Sequence, residues 1–254
     1  HALRAKKVPT TLRAARKGPP KSRIDADVIV VAVRDRDMLT TAEALRLVVP
    51  KRAVCVHVAG ALDAEALAPL RGACAGVAQM HPMISFASLR SFPTLRGGHV
   101  HVRGDAIAER RARALAKKLG MTPRTFRSLD TIGYHAAAGL VANGAAALAA
   151  IGAELLVRSG VRRADAPLML GPLLQSVADN VRQLGFPEAL TGPVRRGDVK
   201  AVEKHLLLLK ERLPDAVPLY LAAARGQLPL ARAIGDAPAA AFDAIDDFLT
   251  GAGV

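Results

Sequence analysis

Asp27-Val-Ile-Val-Val-Ala-Val33 carries six consecutive apolar residues, four of them valine, and its reading decides the fold. A short continuous β-branched run is the pattern of a strand covered on both faces, as in a parallel sheet. Working outward, a helical pattern over Thr41–Val49 stops at Pro50, and Ala53-Val-Cys-Val-His-Val58 reads as a second strand. A helix opened by Asp63 and closed by Gly72 comes next, then a shorter strand signal at Gly76–Met80. His99-Val-His-Val-Arg103 leads into a well-marked helix: Asp105 suits its cap, Lys117 and Lys118 its negative end, and Gly120 its left-handed stop. Thr10–Ala14 and Thr125–Leu129 read as further short strands at either end of this stretch. Strands alternating with helices imply βαβ units.

Beyond residue 130 the strand signals stop. Helices are predicted over Thr131–Arg158, Asp165–Leu184, Val217–Ile234 and Ala239–Leu249. Asp198 opens another, with Val199, Val202, Leu206, Leu209 and Leu213 along one stripe until Pro214. The fold class is therefore α/β followed by all-α, with domains at 1–129 and 130–254 and a ligand expected in a cleft between them.

Composition narrows the function. Of 254 residues 51% are hydrophobic and 23% charged, which excludes disorder as the general state. Cys55 and Cys74 are too few for a disulfide framework and lack zinc-site spacing, so a reducing cytoplasm is the expected compartment. Aromatics at 3% and no Trp argue against a stacking platform for single-stranded nucleic acid. The net charge is +14, and residues 1–24 hold eight basic residues and no acid. That segment reads as a nucleic-acid arm, a mitochondrial-type presequence or a basic cradle for a phosphorylated ligand. The cradle is preferred, with nucleic acid the least favoured partner. Thr131–Ala153 has no charged residue and is long enough to span a bilayer, but its Ala and Gly content suits a small-residue helix buried inside protein.

Five strings, in order, resemble a known family. They are Val30-Val-Ala-Val-Arg-Asp35, His57-Val-Ala-Gly-Ala-Leu62, His81-Pro-Met-Ile-Ser-Phe86, Tyr134-His-Ala-Ala-Ala138 with Asn143, and Leu190-Thr-Gly-Pro193 followed by Arg196-Gly-Asp198. The chain resembles the Rossmann-like oxidoreductases that carry a helical C-terminal domain of unknown function. These are distant relatives of 6-phosphogluconate dehydrogenase, ketopantoate reductase and pyrroline-5-carboxylate reductase. The resemblance implies a dinucleotide cofactor, a small carbonyl or imine substrate, and a homodimer paired through the helical domain. It also implies an opening strand and a GxGxxG turn to hold the pyrophosphate. No GxGxxG occurs in these residues, and His1-Ala-Leu-Arg-Ala-Lys-Lys7 reads as the end of the helix that would follow one. Either the chain begins part-way into the fold, or this homologue has lost its pyrophosphate site.

In that register Thr10–Ala14 is the second strand, whose end meets the adenosine ribose. Arg13, Arg16 and Lys17 stand there in place of an acid, which favours NADP over NAD; the alternative is a solvated basic loop. Ligands of open α/β sheets lie beyond the carboxyl ends of the strands, which selects Val33, Arg34, Ala59, Gly60 and His81 as cofactor contacts. Ala59 and Ile84 depart from the serine and the polar residue usual in the family. By resemblance His135 is the proton donor and Asn143 the orienting group, with Gly139 between them on one slowly turning helical stripe. The competing reading has both as satisfied polar groups in a small-residue core. His81 is a ligand contact or a turn histidine bonded to backbone. His99 and His101 share a strand face without a third ligand, so no metal site is expected. A non-catalytic binding or regulatory protein on the same scaffold is the alternative function.

Overall fold

A computed structural model of the chain describes residues 1–18, 20–88, 90 and 92–252. The chain divides into two compact units, His1–Asn143 and Gly144–Val254.

In the first unit, a short helix α1 (Ala2–Ala5) precedes a five-stranded sheet in the order β1 (Val28–Val31), β2 (Val54–His57), β3 (Gly76–Pro82), β4 (His99–Gly104), β5 (Thr122–Arg124). Helix α2 (Met38–Leu45) joins β1 to β2, a 3-10 helix at Ala64–Leu70 joins β2 to β3, and α3 (Ala106–Lys118) joins β4 to β5. Side chains alternate across the sheet. Val31, Cys55 and Val77 pack with Met38, Leu45, Leu67 and Leu70 on one face, while Val54, Val56, Ala78, Val100 and Val102 pack with Ala108, Ala112 and Ala116 of α3 on the other. The predicted stops appear as drawn: Asp63 accepts from the Glu65 N–H at 3.0 Å, and Gly120 takes a left-handed φ of 81° after α3. Asp105 starts α3 but turns its carboxylate to the Val77 N–H (2.9 Å) and to Arg71, tying α3 to β3.

Four expectations are corrected. The sheet is mixed: β1, β2 and β3 are parallel, β4 runs antiparallel to β3, and β5 is parallel to β4. Among the described residues of segment 83–98, between β3 and β4, none is helical, and a strand that returns without a crossover returns antiparallel. Thr10–Ala14 is not a strand among the described residues; it has no neighbouring strand to complete a ladder, and Ala15–Lys17 coil into a 3-10 turn. The third concerns β1, which is the edge of the sheet, so Val30 is 39% exposed although its sequence reads as doubly buried. Thr125–Leu129 lies outside the sheet, its role taken by β5.

Helix α4 (Thr131–Arg158) begins in the first unit and ends in the second, its bounds as predicted. No residue of it is buried, with Ile132, Leu140 and Val141 all more than 70% exposed, which overturns the buried small-residue helix. By length and composition alone it is able to cross a membrane. In the second unit α5 (Ala166–Leu184) likewise buries only Ala166. The core there belongs to α6 (Val199–Arg212), α7 (Val217–Ile234) and α8 (Ala239–Gly251), where Val202, Leu206, Leu221, Leu228, Phe242 and Ile245 meet. Asp198 caps α6 by accepting from the Ala201 N–H at 3.0 Å.

Gly104 pairs with Ala78 of β3 with no room for a side chain: a Cβ there would overlap the Val77 carbonyl oxygen and the Ala78 Cα. Gly104→Ala is expected to cost about 1–3 kcal/mol in urea unfolding, because backbone cannot move aside as a side chain does. An unchanged midpoint would contradict this packing.

Candidate functional site

Alternation along the strands gathers polar residues on one sheet face at the carboxyl ends of β2 and β3. Cys55 and Val77 face the α2 side, so His57, Gln79 and His81 follow them at two-residue steps, with His57 opposite Gln79 in register. The antiparallel return sets His101 opposite His81. His57, Gln79 and His101 are buried, which for polar side chains demands partners.

Those partners are mostly the turn after β2. Gln79 Nε2 donates to the carbonyl oxygens of Ala59 (2.9 Å) and Leu62 (2.5 Å), and lies 3.5 Å from that of Gly60. His57 Nε2 donates to the Asp63 carbonyl at 2.7 Å, leaving its buried Nδ1 as a bare acceptor without a partner. Thr131 at the start of α4 donates its hydroxyl to the Ala61 carbonyl at 3.1 Å. Four of the five carbonyls of residues 59–63 are thus taken by side chains, and that of Gly60 lies at the limit of the Gln79 amide's reach.

Above this turn sit two more imidazoles. His81 Nδ1 donates to the Val58 carbonyl at 2.9 Å, which fixes the proton on that nitrogen and leaves Nε2 as an acceptor. A Cβ on Gly60 would stand 2.9 Å from His81 Nε2 and 2.5 Å from His135 Nδ1, so the absence of a side chain lets both rings close onto the backbone. The two rings lie 6.1 Å apart at 74°. Tyr134 packs edge-on to His81 at 5.7 Å and reaches His101 at 6.0 Å, and Phe126 stacks on the far side of His101. Burial pushes the His57 and His101 pKa values down and the Tyr134 pKa up, so all three are neutral at pH 7.

Of the residues singled out from sequence, Gly60, His81 and His135 come together, and Ala59 contributes its carbonyl. Val33 packs against the α2-side core and Arg34 is exposed beyond β1. Asn143 is exposed on α4, about 12 Å along the axis from His135, with its Nδ2 near Gly139. Arg13 donates to the carbonyls of Gly18 (2.8 Å) and Lys17 (3.0 Å), and Arg16 and Lys17 are exposed on the same turn. Sequence reasoning missed His57, Gln79, His101 and Tyr134 as parts of the site. The available signal was polar residues at alternate positions ending otherwise apolar strands. Among the described residues no three His, Cys, Asp or Glu side chains cluster as metal ligands.

The fold and this sheet-end cluster define a Rossmann-like α/β unit followed by a helical unit. Solved structures similar to the chain share that architecture. Protein TM1727 from Thermotoga maritima is 26% identical at a TM-score of 0.64, over 83% of this chain and 81% of that one. The "putative NADP oxidoreductase" BF3122 from Bacteroides fragilis is 22% identical at 0.63, over 80% and 75%. Pyrroline carboxylate reductase from Plasmodium falciparum, solved with NADP bound, is 13% identical at 0.50, over 82% and 77%. At such identities the last two show the fold alone. The family model described as Domain of unknown function (DUF2520) matches residues 99–226, and the chain belongs to that family. No curated protein matches the sequence significantly.

The buried histidines make stability depend on pH. Their folded pKa values lie below the unfolded value near 6.5, so in acid the unfolded chain binds more protons. Their contribution is complete above pH 6.5 and is lost as pH falls from there through the folded values. Wild type should therefore lose more unfolding free energy between pH 7 and pH 5 than His57→Gln, measured by urea titration; equal losses would contradict the assignment.

Proposed function

We propose that this chain is an oxidoreductase that moves a hydride between a nicotinamide dinucleotide and the carbon of a small carbonyl or imine substrate, with NADP(H) preferred over NAD(H). The observation that carries this reading is the meeting of His81 and His135 over Gly60, at the carboxyl ends of parallel strands where open α/β sheets take their ligands. The fit to a nicotinamide rests on Gly60: a Cβ there would fill the space into which the two imidazoles close. Residues 1–129 form the cofactor part, with Val33, Arg34, Ala59, Gly60 and His81 against the nicotinamide end and Arg13, Arg16 and Lys17 toward a 2′-phosphate. Residues 130–254 form the substrate and dimer part.

The bound dinucleotide supplies or accepts the hydride. The chain's own groups handle the proton. His81 Nε2, held as an acceptor by its bond to Val58, takes a hydrogen bond from a substrate hydroxyl or amine. His135, exposed and beside it, exchanges that proton with solvent and is the donor in the reductive direction. Asn143 orients the far end of the substrate. Tyr134 and His101, both neutral, back His81 without competing for charge.

A second copy of the chain is the occupant proposed for the apolar residues exposed on α5, among them Leu168, Met169, Leu173 and Leu184, and for those of α4. One other reading is a ligand-binding or regulatory protein without turnover on the same scaffold.

Thermal-shift titration separates them. NADP(H) should raise the melting temperature more than NAD(H); equal shifts remove the NADP preference, and no shift with either removes the oxidoreductase reading. His135→Ala should keep the shift and lower turnover about 10²–10⁴-fold in a screen of small 2-oxo acids and imines; near-normal turnover would overturn its role. Sedimentation at micromolar concentration should give a dimer, and a monomer would overturn the second-copy assignment.

A further inference from the structure

The turn Ala59–Asp63 shows an asymmetry that the reaction chemistry above leaves unused. Its carbonyl oxygens face side-chain donors, four of the five within 3.1 Å, yet among the described residues no group accepts from the N–H of Gly60 or of Ala61. Gly60 is buried, and a buried donor without a partner costs about 1–3 kcal/mol unless something fills it. The direction of both N–H groups follows from covalent geometry. In a trans peptide the C=O of one residue and the N–H of the next point opposite ways, and every peptide in this turn is trans. Gln79 draws the Ala59 and Gly60 carbonyls toward the sheet, so the Gly60 and Ala61 N–H groups point away from it. Two adjacent, similarly directed N–H groups form a cradle for an anionic oxygen.

The surroundings suit an anion. His81 and His135 both close on Gly60. Two carboxylates of this region are already engaged, Asp63 with the Glu65 N–H and Asp130 with the Ile132 N–H, each at 3.0 Å, while Asp35 acts on His57.

We propose that His57 and Gln79 are positioning residues: from adjacent strands they hold the 59–63 turn by its carbonyls so that the Gly60 and Ala61 N–H groups receive one oxyanion of the substrate, a carboxylate or phosphate oxygen, beside His81 and His135. Calling that oxyanion the substrate's rests on the oxidoreductase reading; the anion site itself does not. Neither residue touches the ligand. Each acts through the turn, and replacing one should weaken anion binding without touching the imidazoles.

The test is amide NMR of the whole chain, titrated at constant ionic strength with sodium acetate, with inorganic phosphate, and with sodium chloride as control. The Gly60 and Ala61 amides should shift and saturate with acetate or with phosphate. Acetate identifies a carboxylate-bearing substrate and phosphate a phosphorylated one. Gln79→Met and His57→Leu should each weaken that binding about tenfold, the worth of one hydrogen bond, while His57→Gln, which keeps a donor for the Asp63 carbonyl, should stay within about threefold of wild type. Shifts no larger than those with chloride overturn the proposal. So does wild-type affinity in Gln79→Met, or a loss in His57→Gln as large as in His57→Leu. Should Gln79→Met fail to fold, the wild-type titration and the His57 pair decide. No dinucleotide is present, so saturable anion binding together with a null NADP(H) thermal shift removes the oxidoreductase reading alone, and the converse removes the anion site alone.

Discussion

Gln79, one amide on the middle strand of the sheet, has more of the site depending on it than any other group. Its Nε2 draws in the carbonyls of the turn after β2, and that turn carries Gly60, over which His81 and His135 close. His57 completes the grip from the neighbouring strand and Thr131 from the start of α4, so sheet, turn and helix are tied at one place. Interior hydrogen bonds of this kind are strong because water does not compete for them, and losing a partner leaves a stranded carbonyl. The turn on which the two imidazoles close is thus held by buried side chains.

The mixed sheet contributes in a way that a wholly parallel one would not. Because β4 returns antiparallel, His101 lies directly opposite His81 and shares its face, and Tyr134 packs against both rings. Burial keeps His101 and Tyr134 neutral, so the rings behind His81 bring no charge beside it. His81 has its own proton fixed by Val58, whereas the exposed His135 is open to exchange with water.

Much of this was legible in the sequence. Apolar runs bounded by Pro and Gly located β1 to β4, and α4 and α7 have the predicted ends. Strand direction was not legible from periodicity, which is the same either way; the informative feature was segment 83–98, in which no described residue is helical. Thr10–Ala14 failed as a strand because a short run needs a neighbour to complete its ladder. The alanine-rich content of α4 suggested burial, but burial is a property of what covers a helix, and among the described residues nothing buries any residue of it. In the site, Gly60, His81 and His135 stood out as residue types that do chemistry or permit close approach. His57 and Gln79 did not, since a buried polar residue is understood through its partners, and these lay in a turn up to twenty positions away.

The central claim is that the space against Gly60, His81 and His135 is where the reacting ligand lies. The direct measurement is the imidazole Cε1–H NMR spectrum during addition of NADPH. The account predicts that the His81 and His135 resonances move together and saturate with a common dissociation constant, while His205 on α6 stays fixed. Saturable NADPH binding that leaves His81 and His135 unmoved would contradict it.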